Sequence, residues 1–373
     1  MKQINLKHYL LTLLLAGASI PTFAEIVTID GVDYWYDELF PFNGATVFDG
    51  KGCSGEITIP ESIYVDGVTY TVRDIYFEAF SGCTKLTSVI IPNSIESISH
   101  YAFSGCTNLT SVTIPNSVER IYDNAFSDCS SLTSVTIGKS VQYIGHQAFY
   151  NCTNLKEIHI SKIATWCEIH FIRCDDCITS NPLYYAHNLY LNGELITDLV
   201  IPEGVDYIKA YAFNGCSCLK SVIILSSVKI IEEHAFDDCS DLRSVTIPGN
   251  ITDIGIGAFN GCPSLISEYC RKRTPLDLYL DTFSNYDATL YVPLGCKAKY
   301  AAAHEWDRFK TIEETNFSSV DNIAIDATED SAEYFNLNGI KVATVANGEQ
   351  PAGLAPGIYI VRRGSKTEKV TIR

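Results

Sequence analysis

Ala102-Phe103-Ser104-Gly105-Cys106-Thr107-Asn108-Leu109-Thr110-Ser111-Val112-Thr113-Ile114-Pro115-Asn116-Ser117-Val118 recurs with small changes along this 373-residue chain. Phe80, Phe103, Phe126 and Phe149 follow one another at intervals of 23 residues, each with a cysteine three places on: Cys83, Cys106, Cys129 and Cys152. The series resumes at Phe213, Phe236 and Phe259 with Cys216, Cys239 and Cys262, so seven units share one frame. A fixed period of this length signals stacked supersecondary units. Within one unit Leu109, Val112 and Ile114 have L-x-x-L-x-L spacing. Period-2 alternation puts Val112 and Ile114 on one face of a strand and turns Thr113 outward.

Pro115 ends that strand, because proline has no N–H for a ladder. Val118, Ile121 and Phe126 then bring the return limb back to the core. Each unit is one coil, unable to bury its apolar face alone and stable only when stacked on its neighbours. From Phe149 to Phe213 the interval is 64 residues, one period plus 41, so a segment is inserted there. Its second half, Asn188 to Ile196, predicts a hairpin in which Asn192-Gly193 supplies the two positive φ angles of a type I′ turn. The first half, Trp166 to Leu183, is irregular.

The run A-F-x-G-C-[ST]-x-L-x-S-V-x-I-P resembles the BspA-like leucine-rich repeats of secreted bacterial proteins, over about residues 55 to 315. The stretches Trp166 to Phe171 and Ser180 to Ala186, with the hairpin behind them, look like a variant coil of that family. Tyr291-Val292-Pro293, Tyr300, Trp306 and Phe309 resemble its C-terminal cap, with a short helix over Lys297 to His304. The repeat fades there: Glu268 and Cys270 stand where Val and Ile belong. The fold class is therefore a β-rich repeat solenoid of leucine-rich-repeat type with a small C-terminal all-β module.

A basic start (Lys2, Lys7), a short apolar centre from Leu10 and a small-residue exit at Thr22-Phe23-Ala24 predict a secretory signal peptide, too short in its centre for a permanent span. The divisions expected are a signal peptide at 1–24, an N-terminal β cap at 25–70, and the solenoid at 71–315. The solenoid holds the variant insert at about 160–197 and a C-terminal cap at about 270–315. A polar linker at 316–333 and a β-module at 334–373 follow. That module, with strands around Tyr334–Val342 and Gly353–Val361, resembles the sorting or accessory modules of secreted Bacteroidetes proteins. A charged edge strand that resists aggregation explains its basic end equally well.

With 44 acidic against 27 basic residues the net charge is −17, which excludes the basic surface needed for nucleic acid. Seven of the 14 cysteines occupy one repeat position, hence a core position, and are expected as a buried ladder of free thiols. Cys167-x2-His170-x3-Cys174-x2-Cys177 has the spacing of a tetrahedral zinc site. Against it, Cys167 looks like a core position, and in an oxidising compartment Cys174 and Cys177 could pair as a disulfide or remain free. No metal and no cofactor is assigned. His100, His146 and His234 fall near the turn before the repeat Phe and read as exposed turn residues. No nucleophile elbow, zinc-protease helix or recurrent acid pair suggests an enzyme.

The expectation is thus a non-enzymatic, secreted or outer-surface interaction protein, monomeric, with an extracellular protein or glycan as ligand and no small-molecule cofactor. Its binding residues would form a stripe, one per coil: Ile90, Thr113, Thr136, His159, Ile223 and Thr246, flanked by Ser88, Ser111, Ser134, Glu157, Ser221 and Ser244. The resemblance to BspA-like proteins implies adhesion to host matrix or to other cells. Two alternatives are a carbohydrate-related enzyme or accessory factor using the insert, and a structural spacer.

Overall fold

The structure is a computed structural model that describes residues 25–37, 44–172, 180–317, 331–335, 341–346, 357–363 and 366–372. The expected signal peptide, most of the expected linker, and Cys174 and Cys177 lie outside these residues. The fold is the β-solenoid of 23-residue coils that the period demands, with little helix. It divides into two compact units: one runs to Ile158 and takes in Phe171–Tyr185, and the other comprises His159–His170 and everything from Ala186 onward.

The first unit opens with an antiparallel meander, β1 (Glu25–Ile29), β2 (Val32–Asp37) and β3 (Gly44–Asp49). Next come β4 (Gly55–Thr58), β5 (Ser62–Val65) and β6 (Val68–Ile75). Its coils add β7 (Leu86–Ile90), β8 (Ser97–Ile98), β9 (Ser111–Thr113), β10 (Arg120–Ile121), β11 (Ser134–Thr136) and β12 (Tyr143–Ile144). On one side β3, β6, β8, β10 and β12 pair in parallel, in that order. On the other side β4 pairs with β7 and β9 with β11, again in parallel.

The core follows from the alternation. Leu109, Val112, Ile114, Val118, Ile121 and Phe126 are buried while Thr113 is exposed. The repeat phenylalanines stack face to face, Phe80 on Phe103 at 4.9 Å, Phe103 on Phe126 at 5.2 Å and Phe126 on Phe149 at 5.3 Å, all within 8° of parallel. The cysteine has a defined job. Cys106, Cys129 and Cys152 each donate their Sγ–H to the carbonyl of the phenylalanine one coil back, at 3.1–3.2 Å. A small buried hydrophobe with a weak donor suits that position, and burial pushes the Cys83 and Cys152 thiols up to about 12. The residue before the cysteine must take a left-handed turn, which is why it is Gly82, Gly105, Gly215 or Gly261 in some coils and Asp128, Asn151 or Asp238 in others.

The insert contributes β13 (Glu157–Ile160), α1 (Ile163–Cys167), β14 (His170–Phe171) and α2 (Leu183–Ala186). In the second unit Trp166 is buried, and its Nε1 donates to the Ala212 carbonyl at 2.7 Å. The hairpin β15 (Leu189–Leu191) and β16 (Glu194–Leu195) turns on Asn192 and Gly193, at φ 52° and 87°. Coils follow through β17 (Asp198–Ile201), β18 (Tyr207–Ile208), β19 (Ser221–Ile224), β20 (Ile230–Ile231), β21 (Ser244–Ile247), β22 (Asp253–Ile254), β23 (Ser267–Cys270) and β24 (Thr289–Pro293). After helix α3 (Lys297–Tyr300) comes β25 (Thr311–Thr315), and β17, β19, β21, β23, β24 and β25 form one sheet in that order.

The phenylalanine stack of this unit runs one member beyond the sequence frame, from Phe213 through Phe236 and Phe259 to Phe283. It closes where Trp306 and Phe309 meet Phe283 at tilted and edge-on angles that offer no further stacking face. Glu268 lies in register between Val245 and Leu290, an inward position, and is 0% exposed. Burial holds its carboxyl well above the usual carboxylate range.

Strands β26 (Ser331–Phe335), β27 (Lys341–Ala346), β28 (Gly357–Arg363) and β29 (Lys366–Ile372) form an antiparallel sheet in the order β27-β26-β28-β29. The first of them begins inside the segment expected as linker. Ala332, Tyr334, Tyr359 and Val361 make its own core. Ile360 points the other way and joins Val200 and Ile223 in a separate buried cluster.

Candidate functional site

The outward strand face is where the two units differ. In the first unit β9 and β11 align Ser111 with Ser134 and Thr113 with Thr136, and β4 aligns Thr58 with Ile90. Ile90 is 59% exposed, Thr113 is exposed and Thr136 is half-buried. Short polar side chains and one isoleucine thus stand in neighbouring coils, about 4.8 Å apart per rung, with no charged side chain at these three positions. Such a surface can contact an extended partner over several rungs without displacing any core residue.

In the second unit His159 is half-buried and stacks on Tyr190, ring centroids 4.8 Å apart. Ile223 is 5% exposed and Thr246 2%, and Ser221 and Ser244 beside them are also buried. The expectation of an exposed stripe is therefore corrected at Ile223 and Thr246. Ile360 of the C-terminal sheet lies against Val200 and Ile223, with Leu225 at the margin. The physical reason is composition: two successive coils place Val200 and Ile223 at an outward position that carries threonine in the first unit, and an outward apolar pair is most stable when covered.

Among the described residues the other candidates are not brought together as a site, and Cys174 and Cys177 lie outside them. Cys167 is buried at the end of α1, with its thiol pushed far up by burial, whereas His170 is exposed. Among the described residues no group of three or more His, Cys, Asp or Glu is placed to hold a metal ion. His100, His146 and His234 are half-buried rather than exposed. His100 packs its ring 5.0 Å from Tyr122, and His234 holds Asp237 at 2.8 Å and stacks on Tyr211. The thiol ladder changes at one coil, where Cys216 lies 3.6 Å from Cys218, and this hydrogen bond lowers the Cys218 thiol.

The family model described as the BspA type leucine rich repeat region matches residues 47–179 and 186–286 in six copies. Among solved structures the chain is similar to a leucine-rich repeat protein of T. pallidum, at 26% identity and a TM-score of 0.37, over 62% of this chain and 86% of that one. It is also similar to a leucine-rich cell surface protein of Faecalibacterium prausnitzii, at 21% identity and a TM-score of 0.29, over 78% of this chain and 95% of that one. A third, a leucine-rich repeat protein of Bacteroides ovatus, is 18% identical with a TM-score of 0.28, over 78% and 99%. No curated protein matches the sequence.

Proposed function

We propose that this chain, which belongs to the BspA type leucine-rich repeat family, is an exported, surface-displayed adhesin that binds another protein through the open strand face of its first unit. The observation that carries the reading is the outward row of Thr113 and Thr136, in register on parallel strands, with Ile90 exposed at the equivalent position of the preceding coil, all supported from below by a core that fixes the coils. Export is supported by the basic start, apolar centre and small-residue exit of residues 1–24. The function is binding without chemistry. The stripe offers hydroxyls, an apolar side chain and strand edges, which recognise by shape and short hydrogen bonds.

The test is the double variant Thr113→Lys/Thr136→Lys. It adds bulk and charge at the stripe and leaves the core untouched, so stability should shift by no more than about 0.5 kcal/mol. Binding to immobilised extracellular-matrix proteins and mucin, read by surface plasmon resonance, should weaken at least about tenfold, a loss of roughly 1.4 kcal/mol. Unchanged binding by this variant would remove the stripe as the interface.

A further inference from the structure

On the opposite side of the first unit's coils the sheet carries a cavity of about 560 Å³, within the size range of small-molecule sites. Neighbouring strands bring one residue each to a continuous row: Trp35 on β2 aligns with Thr46 on β3, Thr46 with Asp74 on β6, and Asp74 with Ser97 on β8. Aromatic rings stand at both ends. Trp35 and Tyr76 meet edge to face at 6.1 Å, and His100 and Tyr122 lie 5.0 Å apart. All of these side chains line the cavity, and the rings are half-buried, so each is held by neighbours and still partly open.

The polar groups between the rings decide what could sit there. Asp74 accepts one hydrogen bond, from Ser97 Oγ at 2.6 Å, and a carboxylate can accept several more. The Nε1 of Trp35 is shielded from solvent and has no acceptor among the described residues, an arrangement that native proteins seldom leave unused. Arg73 is already neutralised by its ion pair with Glu96. An anion would therefore meet a carboxylate and a spent cation. A purely apolar molecule would leave the Asp74 carboxylate desolvated. A pyranose ring presents C–H groups to aromatic faces and hydroxyls at its rim, and so satisfies both classes of group.

We infer that this cavity is a binding site for a neutral oligosaccharide of two to three pyranose units, with Trp35, Tyr76 and Tyr122 as ring platforms and Asp74 as the hydroxyl acceptor. The polar row over β2, β3, β6 and β8 covers three strand spacings, about 14 Å at about 4.8 Å each, and matches that length, with Tyr122 one strand further on, just past the end of β10. The site lies apart from the protein-binding stripe, so the two readings stand or fall separately.

Tryptophan fluorescence gives a direct test, because the other two tryptophans, Trp166 and Trp306, are buried and already hydrogen-bonded. The probe is a pool of neutral gluco-, manno-, galacto- and N-acetylgluco-configured trisaccharides, with inorganic phosphate as the anionic control. A saturable change in Trp35 emission with the pool at or below 10 mM, and none with phosphate, is expected. By calorimetry Asp74→Asn, which keeps the side-chain shape, should weaken binding about tenfold with an unchanged melting curve. Tyr122→Ala, at the cavity's other end, should also weaken it. No response to the pool at 10 mM, a response to phosphate, or full affinity in both variants would overturn the inference.

Discussion

Phe126→Ala is expected to lower the free energy of unfolding by about 3–5 kcal/mol, the range for deleting a buried aromatic ring. Phe126 is fully buried and sandwiched between Phe103 and Phe149 at 5.2 and 5.3 Å, so both of its faces lose their partner. The gap cannot collapse easily, because hydrogen bonds on either side of it fix the coil spacing: Phe103 N–H to the Ala125 carbonyl and Phe126 N–H to the Ala148 carbonyl. Phe77→Ala is the matched control. Phe77 is 47% exposed and lies outside the stack, and its loss should cost under about 1 kcal/mol. Urea unfolding of both variants measures the difference, and equal effects would mean that the phenylalanine column does not hold the coils together.

Glu268→Leu is expected to act in the opposite direction and stabilise the protein by about 2–4 kcal/mol at pH 7. The wild-type carboxyl is fully buried at an inward position between Val245 and Leu290, and neither oxygen has a hydrogen-bond partner among the described residues. Its pKa is raised by desolvation, so the folded state holds this proton more tightly than the unfolded chain, where glutamate titrates at about 4.3. Stability from this group is therefore fully present below that value and falls as pH rises toward the folded pKa. The gain from Leu should be smallest near pH 4 and grow toward neutrality, whereas Glu268→Gln should remove the pH dependence while keeping an unpaired polar group. Thermal melts of the three proteins from pH 4 to 8 decide it. A Leu variant less stable than wild type at pH 7 would show that the carboxyl is satisfied and useful where it sits.

The coil architecture was legible because each coil meets the same physical demands and answers them with the same residues. Val112 and Ile114 inward, Pro115 at the strand end and a left-handed Gly, Asp or Asn before the cysteine can all be read from one period. Phe283 escaped the frame because it follows Phe259 by 24 residues and lacks the cysteine three places on, although it continues the stack. The cover over Val200 and Ile223 was hidden for a different reason. Ile360 comes from a part of the chain with no repeat, and a contact of such sequence separation leaves no periodic trace. The local hint was the change from threonine to Val200 and Ile223 at the outward position. The cavity at Trp35 depends on strand register across β2, β3, β6 and β8, which no spacing rule along the chain reveals.

The outward strand face is open in the first unit and covered at Val200, Ile223 and Thr246 in the second, and hydroxyl-radical footprinting of the full chain can see that difference side chain by side chain. Ile90 and Ile223 are the same side chain at outward strand positions, with exposures of 59% and 5%. Ile90 should be oxidised about twelvefold faster, the ratio of those exposures, with Val200 protected alongside Ile223. Equal oxidation of Ile90 and Ile223 in the folded protein would contradict it.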